Sequence, residues 1–178
     1  MILPSHPPAP EQVLVCVGSR AITGATFEHW SAVASKSEGS HPKHPLAQGE
    51  LIGEVMKFLI SSDWVLGEAQ TLHANVSAAK VRRTFERIRK QQFHTRKEFE
   101  AFLGRSGETV ADLMLRVKLN LVSLRIQQRV LAGHHGKAAQ QRALTRFVKG
   151  FKRRWAARTY CSPEYSSADC GHIQAPPL

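Results

Sequence analysis

The sequence predicts a mainly α chain with one short β element near its N-terminal end. Three observations carry this. Apolar residues recur at spacings of three and four through most of the chain, which gathers them on one side of a helix. Hydroxyl residues followed three positions later by a carboxylate stand before two of these runs, Thr95 with Glu98 and Thr109 with Asp112, the pattern that closes the open N–H groups of a helix start. Prolines are confined to the first residues, to the 42–45 segment and to the tail, so none interrupts the helical stretches between. At 178 residues, 42% hydrophobic and 22% charged, the chain suits one domain with a modest core. Residues 1–11, with four prolines, form an unstructured lead. Residues 12–160 form the domain, and 161–178 a cysteine-containing tail.

Gln12 to Val17 reads as a short strand with Val13, Val15 and Val17 on one side, turning at Gly18-Ser19 into Ala21-Ile22. Thr23 is placed to cap a helix that aligns Phe27, Trp30, Val33 and Ala34 and stops by Gly39. Ser40 to Pro45 is a loop, because each proline disfavours α geometry in the residue before it; its His41 and His44 are ordinary loop histidines. From about Gly49 to His73, Leu51, Val55, Phe58, Leu59, Val65, Leu66, Ala69 and Leu72 mark a long amphipathic helix. Ser77 caps the next, with Val76 and Val81 arranged as a hydrophobic staple and Val81, Phe85 and Ile88 as its narrow apolar stripe. Its other faces hold Lys80, Arg82, Arg83, Arg87, Arg89 and Lys90. Thr95 opens a short helix bearing Phe99, Phe102 and Leu103 and closed by Gly104 or Gly107.

The helix from Val110 to about Ala132 has two apolar arcs. Leu113, Met114, Val117, Leu121, Leu124 and Leu131 make one; Leu115, Leu119, Val122, Ile126 and Val130 make the other. Two arcs call for two neighbours, so this helix is expected between layers. After Gly133-His134-His135-Gly136, a last helix from about Lys137 to Thr159 aligns Leu144, Phe147, Val148, Phe151 and Trp155 for docking and turns Arg142, Arg146, Lys149, Lys152 and Arg153 to solvent.

Lysine and arginine outnumber aspartate and glutamate 25 to 14, and no acidic residue lies between Asp112 and Glu164. That half carries a strong positive field, which attracts nucleic acid, anionic lipid or acidic polypeptide without distinguishing them. No apolar run is long enough for a membrane span, and Met1 leads into prolines rather than a signal peptide, so the literal start is cytoplasmic. A lipoprotein anchor at Cys16 is excluded by Val15, which stands where a small residue is needed. Cys161 and Cys170 would either close a short disulfide loop in the tail or stay as surface thiols. A zinc site from Cys161, Cys170 and His172 would lack a second pair at finger spacing.

No constellation for catalysis stands out. Gly104-Arg105-Ser106-Gly107 has neither the length nor the lysine of a phosphate loop, and no Gly-x-Ser-x-Gly or His-Glu-x-x-His phrase is present. No catalytic residue, cofactor or metal ligand is therefore assigned.

Ile22-Thr23, Phe27 and His29-Trp30, then Val55 to Ile60, Trp64 and Gly67-Glu68-Ala69 resemble the N-terminal region of exported foldases of the SurA and PrsA type. So does the run Phe99, Phe102-Leu103, Ser106-Gly107, Thr109, Asp112-Leu113, Arg116-Val117 and Leu119. Phe147 to Lys149, Phe151, Trp155, Thr159, Cys161 and Asp169-Cys170 are similar to the tail of the actinobacterial members. The resemblance implies a SurA-N-like helical chaperone module whose C-terminal helix packs back on the N-terminal helices. It implies an ATP-independent holdase that shelters unfolded or nascent exported polypeptides, an extracytoplasmic location and a Cys161–Cys170 bridge. The parvulin isomerase domain common in the family has no room between Val130 and the last helix, so no isomerase activity is expected. Client-facing candidates are the aromatic groups Trp30, Phe58, Trp64, Phe85 and Phe93; plain core packing is the alternative for each. The basic last helix also suits an anionic membrane surface. A basic nucleic-acid-binding protein is the rival reading, weakened by the absence of a helix-turn-helix phrase.

Overall fold

The computed structural model describes residues 6–39 and 48–174. Residues 40–47, with the Ser40 to Pro45 segment read as a loop and its His41 and His44, lie outside the described residues, as do the first five and last four residues. Strand β1 (Val13–Val17) forms a hairpin with β2 (Arg20–Thr23), and six helices follow: α1 (Gly24–Gly39), α2 (Gln48–Thr71), α3 (Ala78–Gln92), α4 (Arg96–Ser106), α5 (Val110–Leu131) and α6 (Lys137–Ala156). Two short strands, β3 (Thr159–Cys161) and β4 (His172–Ile173), complete a sheet of order β2-β1-β3-β4. The fold is mainly α, as the periodicity predicts.

The local signals act where they stand in the chain. Ser77 Oγ accepts from the Lys80 N–H at the start of α3. Thr95 with Glu98, and Thr109 with Asp112, each form the complete reciprocal capping box. Gly107, with φ of 71°, closes α4 in the left-handed conformation that glycine adopts without steric cost.

Both ends of the domain differ from the sequence reading. The proline lead is packed rather than loose at its end: the Gln12 and Pro10 carbonyls accept from the Gly24 and Ala25 N–H groups and so help cap α1. Pro8 is buried beside them. The residues after α6 do not leave the fold either. β3 pairs antiparallel with β1, Val15 opposite Cys161, and β4 pairs parallel with β3. Cys161 and Cys170 form a disulfide with Cα atoms 5.9 Å apart, and Tyr165 between them packs edge-on against Phe27, ring centroids 5.1 Å apart.

Strand β1 also departs from strict alternation. Its register shifts between Val13 and Val15, so Leu14 and Val15 are both fully buried while Val13 is only half-buried.

The helix covered on most sides is α2 rather than α5. Ile52, Val55, Met56, Leu59, Ile60, Trp64, Leu66 and Ala69 are all buried, and so are Ser62 and Glu68. α2 packs against α1, α5 and both hairpin strands. Helix α5 does have neighbours on more than one side, α2, α3 and α6, but its two arcs are unequal. Val122 and Ile126 of the second arc are buried, whereas Leu124 of the first is 48% exposed. Val148 of α6, on the stripe that the periodicity assigns to docking, is instead 46% exposed; Ala143 is buried in the same helix.

The C-terminal helix returns to the N-terminal helices around Trp155, with Phe151 edge-on to Trp64 of α2 at 5.8 Å. Trp155 lies against the backbone of Gly67 in α2 and donates its indole N–H to Glu68 Oε2 at 2.6 Å. Arg154 Nη2 donates to the other oxygen of Glu68 at 2.7 Å. Thr159 then bridges Trp155 to Trp64 within the core: its hydroxyl donates to the Trp155 carbonyl and accepts from Trp64 Nε1, each at 2.8 Å. Glu68 is only 2% exposed, a burial tolerable for a carboxylate because both oxygens have donors.

Candidate polypeptide-binding cleft

The open apolar site lies between α3, α4 and α5. Phe85 and Ile88 of α3 face Phe99 and Phe102 of α4, with Phe93 from the intervening turn and Leu113 and Val117 from the first arc of α5. Together they enclose a cleft of about 140 Å³. A cavity of about 150 Å³ lined by Leu, Ile and Phe accepts a benzene-sized group, so this one suits a single apolar side chain.

The local sequence builds it. The stripe of α3 is narrow, leaving one row of apolar residues to lay against α5. The capping box at Thr95 reverses the chain within three residues and brings Phe99 back under Phe93 and Phe85. The rings then lock in tilted pairs: Phe93 with Phe99 at 5.3 Å, Phe93 with Phe102 at 5.2 Å and 45°, and Phe85 with Phe99 at 6.2 Å. Such offset contacts add to burial alone. Phe85 and Phe99 are buried, while Phe93 and Phe102 remain half-exposed at the mouth.

Two arginines stand at its edge. Arg89 lies 5.7 Å from the Phe99 ring and donates twice to Glu86. Arg116 pairs with Glu108 at 2.6 Å and places its guanidinium 5.1 Å from the Trp30 ring and 5.2 Å from that of Phe58. Arg116 thereby joins the cleft to the aromatic pair Trp30–Phe58, whose centroids are 4.6 Å apart.

A neighbouring contact fixes α5 relative to α1. Asp112 Oδ2 accepts from the Thr109 N–H and hydroxyl, both at 2.7 Å, and from His29 Nε2 at 2.9 Å. Burial alone would raise this carboxyl, but the hydrogen bonds from Thr109 and His29 outweigh it and hold the group below the usual carboxylate range.

The five aromatic candidates separate. Phe85 and Phe93 line the cleft. Phe58 is half-buried and Trp30 buried, beside it under Arg116. Trp64 is elsewhere, buried and committed to Thr159. Phe102, Leu113 and Val117 were not among the candidates. Their signal was present in the two separate stripes of α4 and α5, but nothing local says that those stripes share a neighbour. Cys161 and Cys170 make a bridge, the kind of bond that persists in an oxidising compartment. Cys16 lies outside it on β1, half-buried, where burial pushes its thiol up.

Among the described residues, no group of three or more His, Cys, Asp or Glu side chains is placed to hold a metal ion. No helix among them is long and apolar enough to cross a membrane. Comparison with protein-family models, curated proteins and solved structures finds no match.

Proposed function

We propose that this protein is an ATP-independent holdase module of the cell envelope or the secreted fraction, binding unfolded exported polypeptides without turning them over. The observation that carries the reading is the aromatic cleft between α3, α4 and α5, apolar inside and open at a mouth formed by Phe93 and Phe102. Capture of unfolded chains relies on apolar area rather than on a shaped polar site. A cleft that takes one side chain at a time suits a weak grip on many sequences. The disulfide supports an extracytoplasmic place for the chain, and the resemblance to SurA- and PrsA-type foldases supports the holdase role.

The test is light scattering by an aggregating client with and without equimolar protein. Suppression by the natural chain, lost in Val117→Phe with an unchanged thermal melt, supports the reading. Equal aggregation with and without the protein overturns it.

A further inference from the structure

Helix α3 has a second face. Away from the cleft, Arg82, Arg83, Arg87 and Lys90 line a broad open surface with Glu86 and Gln91. Glu86 is the only carboxylate of α3, and Arg89 holds it at 2.8 Å. Among the described residues, none of Arg82, Arg83, Arg87 and Lys90 forms an ion pair, although six ion pairs occur elsewhere. Four clustered cations against one carboxylate that Arg89 already holds repel one another, and a partner carrying negative charge relieves that repulsion. Three of the four are arginines, whose planar fork matches a carboxylate with two parallel hydrogen bonds.

The two faces meet at the C-terminal end of α3. Gln91 borders the cationic surface, its neighbour Gln92 borders the cleft, and Phe93 follows at the cleft mouth. One extended chain can therefore use both. At about 3.3 Å per residue, roughly four to five residues carry it around a helix about 10 Å across.

We infer that α3 selects acidic clients: an apolar side chain seats in the cleft while carboxylates four to five residues away lie on Arg83, Arg87 and Lys90. This rests on the holdase reading and adds to it a class of preferred segment. A nucleic acid fits the same charge less well. Stacking of bases needs an open ring face, and here Phe93 and Phe102 turn toward one another and toward Phe99 at tilted angles.

The experiment measures fluorescence anisotropy of three labelled peptides on the intact protein. Each carries the same Leu-Phe anchor and a four-residue Gly-Ser spacer, followed by three Glu, three Ser or three Lys. The Glu peptide is expected to bind about tenfold more tightly than the Ser peptide at low salt, the Lys peptide least, with the difference shrinking as salt rises. Arg83→Glu with Arg87→Glu should bring the Glu peptide to the Ser affinity and leave the Ser peptide unchanged. Equal binding of Glu and Ser peptides, with both lost in Val117→Phe, overturns acidic selection and leaves the holdase reading in place. Binding of none of the three overturns both. A twenty-nucleotide single-stranded RNA or an anionic phospholipid vesicle bound more tightly than the Glu peptide, and released by the same α3 substitutions, assigns the face to that partner and overturns the inference. The three-peptide comparison needs no variant, so a misfolded variant does not protect the proposal.

Discussion

The indole of Trp155 occupies the space in which a Cβ at Gly67 would stand. The contact joins residues 88 positions apart in the chain, and it lets α6 approach the α2 backbone closely enough for Trp155 Nε1 to reach Glu68. A glycine inside a long helix normally weakens it, and here the missing side chain is what admits the ring.

Gly67→Ala therefore sets two effects against each other. Alanine gains about 1 kcal/mol of helix propensity, but displacing a packed ring costs about 1–3 kcal/mol, and the indole's hydrogen bond to Glu68 is strained as well. Urea unfolding is expected to show a net loss of about 2 kcal/mol. Gly104→Ala in α4, where nothing lies near the added methyl, is the control and should gain about 0.5–1 kcal/mol. A stabilised Gly67→Ala would show that Trp155 is not held where the fold places it.

Glu68→Ala removes the acceptor for both Trp155 Nε1 and Arg154 Nη2. The buried indole N–H is left unsatisfied at a cost of about 1–3 kcal/mol; Arg154 is half-exposed and returns to water cheaply. Glu68→Gln retains an amide oxygen for the indole and should lose less. Near-UV circular dichroism of the tryptophan band, read with the melt, separates the two variants.

Asp112 ties stability to acid. Its folded carboxyl lies below the ordinary value near 3.9, so its contribution is complete above that value and lost as pH falls through the folded one. Stability measured between pH 6 and pH 2.5 should decline in the natural chain, and Asp112→Asn should flatten part of that decline. At pH 6 the same substitution is expected to cost about 1 kcal/mol through the weakened cap of α5. An unchanged acid slope would show that the Thr109 and His29 contacts do not hold the carboxylate in solution.

Reduction of Cys161–Cys170, or Cys170→Ser, opens a loop of sequence separation 9. Loop-closure entropy for so short a span is worth about 2–3 kcal/mol. For a chain of this size that corresponds to a fall in Tm of roughly 5–10 °C. Hydrogen exchange should quicken first at Gln174, whose N–H donates to the Cys161 carbonyl. Exchange unchanged under reductant would show that β4 is held without the bridge.

The sequence alone determined where α3, α4 and α5 begin and where apolar stripes run along the helices, though not how fully each stripe is covered: Val148 and Leu124 stand exposed on theirs. Ser77, Thr95 with Glu98, and Thr109 with Asp112 act within three residues of themselves, and such short-range chemistry is written in the order of the residues. It determined the charge as well, since a run without acids from 113 to 163 needs no fold to be basic. Only the tertiary structure decided what covers each apolar side. The tail becomes part of the sheet because β3 pairs with β1 across most of the chain. α2 becomes the central helix because α1, α5 and the hairpin all settle on it. Phe85 and Phe93 fall at an open cleft and Trp64 at a closed lock, though all three read alike in the sequence as aromatic groups of large contact area. A stripe records that a residue leaves water, and the identity of its neighbour is fixed only when distant segments compete for the same surface.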